Sequence, residues 1–165
     1  MIGHAAGMDP TGATFEVRPI GTVRSDRTEA VDDDWDAVAT RIELDPDRFT
    51  ADVVAGLDEF SHVDVVYLFH LVDEDDVHLG ARHPRGRTDW PLVGIFAQRA
   101  KARPNRIGVT TCRLLGVDGL VLEVEGLDAI EGTPVLDVKP NLAEFWPRGD
   151  HAQPAWATEL MAGYW

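Results

Sequence analysis

The fold of this chain is decided by the stretch Ile107-Gly-Val-Thr-Thr-Cys-Arg-Leu-Leu115, Gly116-Val-Asp-Gly119, Leu120-Val-Leu-Glu-Val124. The two outer runs are rich in β-branched and other apolar residues, as strands usually are. The Asp-Gly pair between them favours a tight hairpin turn. We therefore predict two antiparallel strands, at residues 107–115 and 120–124, with Cys112 as a small core residue on the first.

Further segments of the chain also follow a period of two residues. They are residues 15–24, 38–44, 62–72 and 134–138. Each is predicted to form a strand, and residues 62–72 are apolar enough for a central one. Many short strands joined by turns are typical of a mainly β fold, and we predict a small antiparallel β-barrel.

Two helices are expected beside the strands. Thr50 is placed to cap a short helix that runs through Leu57. A second, C-terminal helix is predicted over residues 154–164, because three apolar side chains there have helical spacing: Trp156, Leu160 and Met161.

The length of 165 residues accommodates one domain, which we predict at residues 15–165. Residues 1–14 lack the basic and apolar regions of a signal peptide and are expected to be a disordered N-terminal segment. No run of eighteen apolar residues is present, which argues against a membrane-spanning helix. The single cysteine cannot form an internal disulfide. A cytoplasmic location is therefore expected.

The formal net charge of −14 is unevenly distributed. Between Arg82 and Arg106 the chain has seven basic residues, against Asp89 as the only acidic one. Runs of acidic residues occur elsewhere, at 32–34 and 73–76, and the whole chain contains only two lysines. Excess surface carboxylate keeps proteins hydrated at high ionic strength, so a halophilic source is expected. In such a protein the overall acidity does not exclude nucleic acid as a partner.

Two blocks of sequence are the strongest candidates for a functional site. The first is Val93-Gly-Ile-Phe-Ala-Gln-Arg-Ala-Lys-Ala-Arg-Pro-Asn-Arg-Ile-Gly108, where cations alternate with small residues around a Pro-Asn turn. Such a turn presents a fixed surface to anions. The second is Gly126-Leu-Asp-Ala-Ile-Glu-Gly-Thr-Pro-Val-Leu-Asp-Val-Lys-Pro140, whose glycines and prolines leave charged residues at the ends of elements. Without further information, both blocks are equally explained as solvated hairpin turns.

These blocks resemble the signatures of the TsaA-like (TrmO) family. The segments Pro19-Ile-Gly-Thr-Val-Arg-Ser25, Phe60-Ser-His62 and Phe69-His70 match the same family, so the resemblance covers residues 15 to 147. It implies a TsaA-like β-barrel that binds S-adenosylmethionine (S-adenosyl-L-methionine). The implied reaction is N6-methylation of threonylcarbamoyl-adenosine next to the tRNA anticodon. With the acidic composition, the sequence is interpreted as a haloarchaeal member.

The resemblance also implies which residues bind the cofactor. They are His70, Leu71, Arg99, Val109, Leu127, Asp128, Ala129 and Ile130. Physically, the Asp128 carboxylate suits a hydroxyl or ammonium group, and the Arg99 guanidinium suits a carboxylate. We expect the basic residues around the Pro-Asn turn to contact tRNA phosphates, namely Lys101, Arg103 and Arg106. No catalytic residue is assigned.

A homodimer is expected as well, because the resemblance implies a pocket shared between subunits. Three aromatic residues are candidates either for that interface or for the monomer core: Trp90, Phe96 and Trp146.

The acceptor is less well defined than the cofactor. Most family members read close to Thr-Arg-Ser-Pro-x-Arg-Pro-Asn-Pro-Ile-Gly in the first block, whereas here Ala100-Lys101 replaces Ser-Pro and Arg106 replaces a proline. A non-catalytic S-adenosylmethionine-binding regulatory module and a small-molecule methyltransferase therefore remain as alternatives.

Other chemistries have weaker signals in the sequence. It has no GxGxxG after a strand, no P-loop, no CxxC pair and no HExxH. The spacing of four histidines could mimic a metal site, but we interpret them as structural and expect no metal: His62, His70, His78 and His83. Ser61 lacks the strained turn of a nucleophilic serine.

Overall fold

The computed structural model describes residues 14–36 and 38–165. All but the last residue of the predicted disordered segment, 1–14, lies outside the described residues. Six strands form a closed barrel: β1 Gly21–Arg24, β2 Ala39–Leu44, β3 His62–Leu68, β6 Ile107–Asp118, β7 Val121–Glu125 and β8 Pro134–Pro140. Their order around the barrel is β1-β2-β7-β6-β3-β8, and every pair is antiparallel. The predicted mainly β barrel is confirmed.

The barrel core follows from the alternation of side chains along each strand. On β3, Val63, Val65 and Tyr67 face inward and are at most 1% exposed. On β6, which pairs with β3 in register, Gly108 and Cys112 are buried between exposed neighbours. Because successive side chains of a strand point to opposite faces, these residues fill the interior of the barrel.

The predicted hairpin is present and is longer than expected. Strand β6 continues to Asp118, and Gly119 has a left-handed φ of 56° at the turn into β7. The register between the two strands shifts between Leu114 and Gly116, as at a β-bulge. The extra residue bends the long strand, which helps a small barrel to close.

Two predicted strands were too long. The first begins at Gly21 rather than at residue 15, because pairing with β2 and β8 starts there; Phe15 is 74% exposed. Strand β3 ends at Leu68 rather than at residue 72. Directly after its end, the N–H of Phe69 donates to the carbonyl of Arg106. Periodicity was present in both segments, but a strand also needs a hydrogen-bonding neighbour. The early end of β3 brings residues 69–72 to the mouth of the barrel.

The helix predictions were partly wrong. Instead of one helix capped by Thr50, two 3-10 helices occur, Ala51–Val54 and Leu57–Glu59, with Gly56 at φ 79° between them. The Thr50 hydroxyl donates to the Asp52 carboxylate and caps no backbone N–H. The C-terminal helix, α1, covers only Ala155–Leu160. The residues after it turn back, and the carbonyls of Gly163 and Tyr164 accept hydrogen bonds from residues 34 and 35.

An arm outside the barrel connects β3 to β6. It contains the two-stranded sheet of β4 Ala81–Arg82 and β5 Val93–Gly94. Trp90 on this arm is 5% exposed and its indole N–H donates to the Glu159 carboxylate of α1 at 2.8 Å. Trp90 therefore ties the arm to the C-terminal helix within the monomer, which agrees with the core role of the two roles considered for it. No helix among the described residues is long and apolar enough to cross a membrane.

Candidate functional site

A cavity of about 430 Å³ lies at one end of the barrel. The barrel, the arm, the loop before β2 and the C-terminal tail (residues 154–165) all contribute to its wall. The barrel contributes Tyr67, Phe69, His70, Leu71, Val72, Thr110, Asp128, Ala129, Ile130 and Thr133. The arm and the loop contribute Ala30, Val31, Asp32, Trp35, Arg82, Pro84, Arg85 and Ala97 to Lys101. Its size and mixed lining are those of a small-molecule site.

Asp128 is the central polar residue of this cavity. Its Oδ1 accepts hydrogen bonds from the hydroxyls of Tyr67, at 2.5 Å, and of Thr110. Its Oδ2 accepts one from the hydroxyl of Tyr164 in the C-terminal tail, also at 2.5 Å. The carboxylate is therefore held in one orientation from the barrel and from the tail.

Burial and the negative charge of Asp128 raise the pKa values of Tyr67 and Tyr164 far above the usual value of a tyrosine phenol. Both phenols keep their protons and remain donors to the carboxylate at any physiological pH. Asp128 is thus a fixed acceptor that already has three hydroxyl partners.

The position of Tyr67 depends on a glycine in the neighbouring strand. Gly108 on β6 lies directly opposite Tyr67 on β3. A Cβ atom at position 108 would lie 2.5 Å from ring atoms of Tyr67. The tyrosine ring therefore lies across the β6 backbone, a placement that only glycine permits. Phe69 packs edge-on against the same ring, with 5.4 Å between the centroids.

The loop that carries Asp128 is fixed to the start of the barrel. The Glu131 carboxylate accepts hydrogen bonds from the N–H of Ser25, at 2.8 Å, and from the Arg24 guanidinium, at 3.0 Å. These donors hold the pKa of Glu131 below its ordinary value. In addition, the N–H of Gly132 donates to the carbonyl of Val23.

The predicted Pro-Asn turn is present, and its cations support the loops around the cavity. Asn105 and Arg106 have left-handed φ values of 63° and 53°. Arg106 donates to the carbonyl of Val72 at 2.6 Å, and Arg103 donates to that of Gln98 at 3.0 Å. Neither of the two arginines lines the cavity. Their first role is therefore to hold residues 98–106 against the barrel mouth.

The structure brings six of the eight predicted cofactor residues to the cavity wall: His70, Leu71, Arg99, Asp128, Ala129 and Ile130. Leu127 is instead fully buried in the barrel core. Val109 is 44% exposed outside the cavity, and its carbonyl accepts a hydrogen bond from Arg99. Of the predicted RNA-contacting residues, Lys101 also lines the cavity.

The sequence reasoning missed several residues of the wall. Tyr67, Thr110 and Tyr164 form the hydroxyl shell of Asp128, and Trp35 and Arg82 lie in the wall as well. For Tyr67 and Thr110 there was a usable signal, because strand alternation places both inside the barrel. Tyr164, Trp35 and Arg82 come from segments far apart in the chain.

The other chemistries considered have little support in the structure. Within residues 14–36 and 38–165, no three His, Cys, Asp or Glu side chains are grouped so as to hold a metal ion. The hydroxyl of Ser61 lies 2.9 Å from Nδ1 of His62, but both residues are exposed and neither lines the cavity. Cys112 is fully buried, and burial raises the pKa of its thiol well above its usual value. It is a core residue, as predicted.

Comparison with known proteins gives one family. The profile of the tRNA-methyltransferase O N-terminal domain matches residues 32–146. A Methanothermobacter thermautotrophicus protein with the name "Probable S-adenosyl-L-methionine-binding protein" is 37% identical over 130 residues, which cover 76% of this chain and 89% of that protein. The Escherichia coli tRNA (adenine(37)-N6)-methyltransferase is 37% identical over 122 residues, covering 69% of this chain and 52% of the enzyme.

Solved structures agree with the sequence matches. The crystal structure of TrmO from Pseudomonas aeruginosa superposes with a TM-score of 0.70 at 30% identity, covering 87% of this chain and 62% of that one. The chain spans about half the length of the bacterial curated relatives that it matches.

Proposed function

This chain belongs to the tRNA-methyltransferase O N-terminal domain family, and we propose on that premise that it is an S-adenosylmethionine-dependent tRNA methyltransferase. The proposed reaction is N6-methylation of threonylcarbamoyl-adenosine next to the anticodon. The observation that carries the proposal is the cavity built around Asp128, which combines a fixed carboxylate, cations and an apolar wall. A tRNA acceptor would place the protein in the cytoplasm.

The donors and acceptors of the cavity fit this cofactor. Phe69, Leu71 and Ile130 supply an apolar wall for an adenine ring. Arg99, whose guanidinium donates one bond to the carbonyl of Val109, has further N–H groups for a carboxylate. Asp128 accepts three hydroxyl bonds and offers its remaining lone pair, on Oδ2, to a ribose hydroxyl or an ammonium group.

The chemical demands on the protein are modest. When bound, S-adenosylmethionine supplies a methyl group that is already activated on a sulfonium. A C–N bond to the adenine N6 forms as the C–S bond breaks, S-adenosylhomocysteine leaves, and the N6 proton passes to solvent. The residues of the cavity therefore have to hold the two reactants in line and exclude water. No side chain needs to become covalently attached.

The basic stretch supports RNA as the acceptor. Lys101 lines the cavity and is 46% exposed in its side chain, so its ammonium group can reach both the cavity and a bound phosphate. Arg103 and Arg106 flank it, and each keeps N–H groups beyond those bonded to backbone carbonyls. RNA-modifying proteins reach unstacked loop bases and contact the neighbouring phosphates.

We expect the purified protein to methylate tRNA that carries threonylcarbamoyl-adenosine, and not the same tRNA without that modification.

Lys101→Glu should lower tRNA affinity roughly tenfold through lost phosphate attraction. Its cofactor affinity should stay within a factor of three, because the Lys101 ammonium group donates to the Ala30 carbonyl at 3.3 Å and pairs with Asp32 at 3.9 Å, and neither of these is a predicted cofactor residue. Methylation is read by mass spectrometry of nucleosides, and cofactor binding by calorimetry in molar salt.

The matched control is Lys139→Glu, because Lys139 is the only other lysine, pairs with Asp137 and lies outside the cavity wall. Equal tRNA methylation by the two variants would place the acceptor elsewhere. Wild-type protein that binds the cofactor but methylates no RNA would favour a regulatory binding module, the second candidate, which the name of the Methanothermobacter relative supports. Turnover on small acceptors alone would instead identify a small-molecule methyltransferase.

We also propose a homodimer. Phe96 and Trp146 are 79% and 59% exposed, which is costly for aromatic side chains unless a partner covers them. Phe96→Ser and Trp146→Ser are each expected to leave the subunit folded, and at least one should convert the dimer to a monomer. Light scattering at micromolar concentration measures the molecular mass of both variants. It is also applied to Phe145→Ser, a substitution of another highly exposed aromatic residue. A monomeric wild type would contradict this proposal.

The acidic surface supports a halophilic source. The acidic residues at 73–76 are all exposed, and they lie outside the basic stretch. Their mutual repulsion should loosen the fold at low ionic strength and should be relieved when the screening length falls to about 3 Å in molar salt. We therefore expect a higher thermal unfolding midpoint in 1 M potassium chloride than in 0.05 M. An unchanged or lower midpoint would remove the argument for a high-salt cytosol.

A further inference from the structure

Two polar side chains in the cavity wall have no partner among the described residues. The buried Nε of Arg82 and the buried indole Nε1 of Trp35 make no hydrogen bond there. Both residues line the cavity that contains Asp128. A buried N–H without an acceptor is costly, so a pair of them in one cavity calls for an explanation.

Arg82 is held firmly although its side chain lacks a partner. Its backbone pairs with Val93 across the arm sheet, and its carbonyl accepts a hydrogen bond from the Gln98 amide at 3.1 Å. Gln98 is only 8% exposed and also donates to the carbonyl of Val93. The position of Arg82 is therefore fixed by the arm, and its guanidinium is not needed to hold it.

The other arginines of the basic stretch differ from Arg82 in this respect. Each donates to a named acceptor: Arg85 to Asp33, Arg87 to Asp89, Arg99 to the Val109 carbonyl, Arg103 to the Gln98 carbonyl and Arg106 to the Val72 carbonyl. Within residues 14–36 and 38–165, the buried Nε–H of Arg82 has no hydrogen-bond acceptor, although the chain contains 29 acidic residues. Carboxylates were available, yet none is placed against Arg82.

Trp35 is fixed in a similar way. It is 4% exposed, the Arg27 guanidinium stacks on its ring at 3.7 Å, and its backbone N–H donates to the carbonyl of Tyr164. Its indole N–H can only donate, and the Arg82 guanidinium can only donate. A ligand that satisfies both must present acceptor atoms, and the positive charge of Arg82 favours an anion with planar geometry.

We propose that Arg82 and Trp35 form a carboxylate-binding subsite of this cavity, separate from the eight residues that the family resemblance implied. The proposal rests on the proposed function, which offers two carboxylates. One is at the methionyl end of S-adenosylmethionine, and the other is on the threonyl group of the modified adenosine. The two sources present the same chemistry to the two N–H donors and are separated by experiment.

The first measurement uses ligand-free protein. Arg82→Gln removes an N–H donor that has no acceptor, so this variant should not unfold at a lower denaturant concentration than wild type. Trp35→Phe also removes part of a buried ring and should unfold at a somewhat lower denaturant concentration through lost packing alone. Arg87→Gln is the matched control, because Arg87 lies outside the cavity wall and pairs with Asp89. A clear loss of stability in Arg82→Gln would show a structural role and overturn the subsite, whatever the activity of the protein.

The second measurement identifies the carboxylate. Calorimetry compares S-adenosylmethionine with methylthioadenosine, which keeps the nucleoside but lacks the amino-acid end. If the cofactor carboxylate binds here, Arg82→Gln weakens S-adenosylmethionine binding roughly ten- to hundredfold and leaves methylthioadenosine binding unchanged. If the acceptor carboxylate binds here, both affinities stay unchanged, and the variant loses its preference for tRNA with threonylcarbamoyl-adenosine over unmodified tRNA.

When the wild-type protein binds these ligands, parallel losses for both nucleosides in Arg82→Gln, or no change in any of its binding measurements, would overturn the subsite. Wild-type protein that binds neither the cofactor nor modified tRNA would instead refute the proposed function. In that case a destabilised ligand-free Arg82→Gln still rejects the subsite, and an equally or more stable one keeps it for a different carboxylate.

Discussion

Gly108→Ala is expected to lower the free energy of unfolding by about 3 kcal/mol, the sum of an overpacked contact and a lost buried hydrogen bond. The new Cβ would lie 2.5 Å from the Tyr67 ring, a distance that non-bonded carbon atoms do not tolerate. The ring has no free space, because Tyr67 is 1% exposed and its hydroxyl donates to Asp128. Either β3 and β6 separate locally or the ring leaves Asp128.

Chemical denaturation measures this effect, and Gly94→Ala is the matched control. Gly94 lies in β5, has φ −59°, and has nothing within 4 Å of an added Cβ. Its substitution should change stability by less than about 1 kcal/mol. If Gly108→Ala is as stable as Gly94→Ala, Tyr67 is not locked by the neighbouring strand. Cofactor affinity should fall with Gly108→Ala as well, since the orientation of Asp128 depends on Tyr67.

The barrel could be predicted from the sequence because its signals are local. The hairpin of β6 and β7 has an Asp-Gly turn between two β-prone runs, and that information lies within twenty residues. The ends of strands were less predictable. Residues 15–19 alternate as a strand does but make no backbone hydrogen bonds to a neighbouring strand in the described part of the chain, and residues 69–72 leave the sheet to form the barrel mouth.

The candidate site was predictable only in part, for a physical reason. Asp128 and Arg99 lie in the two charged blocks, and His70 lies in the Phe69-His70 match. The family resemblance implied a cofactor role for all three, and all three reach the cavity. Val109 and Leu127 belong to the same predicted set, but the Leu127 side chain is buried in the barrel core and the Val109 side chain lies outside the cavity. Trp35, Arg82 and Tyr164 meet only in the folded chain, so no local pattern could bring them together.

The C-terminal tail is bound to both sides of the cavity. The carbonyls of Gly163 and Tyr164 accept hydrogen bonds from the N–H groups of Asp34 and Trp35, at 3.0 and 2.9 Å. Glu159 in α1 accepts one from Trp90 on the arm. The tail therefore connects the loop that carries Trp35 to the arm that carries Arg82, and its inner side chains complete the cavity wall.

Removal of residues 154–165 is expected to weaken S-adenosylmethionine binding by about a hundredfold or more, which corresponds to roughly 3 kcal/mol. The deletion removes four large apolar side chains of the wall, Trp156, Leu160, Met161 and Trp165, and each contact with a ligand is worth on the order of 1 kcal/mol. It also removes the Tyr164 hydroxyl from Asp128. Calorimetry in molar salt measures the loss, and the unfolding midpoint establishes whether the barrel remains folded.

Tyr164→Phe separates the two contributions, because it removes one hydroxyl and leaves the wall in place. We expect it to weaken cofactor binding by roughly tenfold or less, because the lost hydrogen bond orients Asp128 and is not made to the cofactor itself. His151→Ala, an exposed change just before the tail, should have no effect. A shortened protein that unfolds like wild type and binds the cofactor with unchanged affinity would show that the tail only covers the cavity. A loss in Tyr164→Phe as large as in the deletion would instead assign the whole effect to the orientation of Asp128.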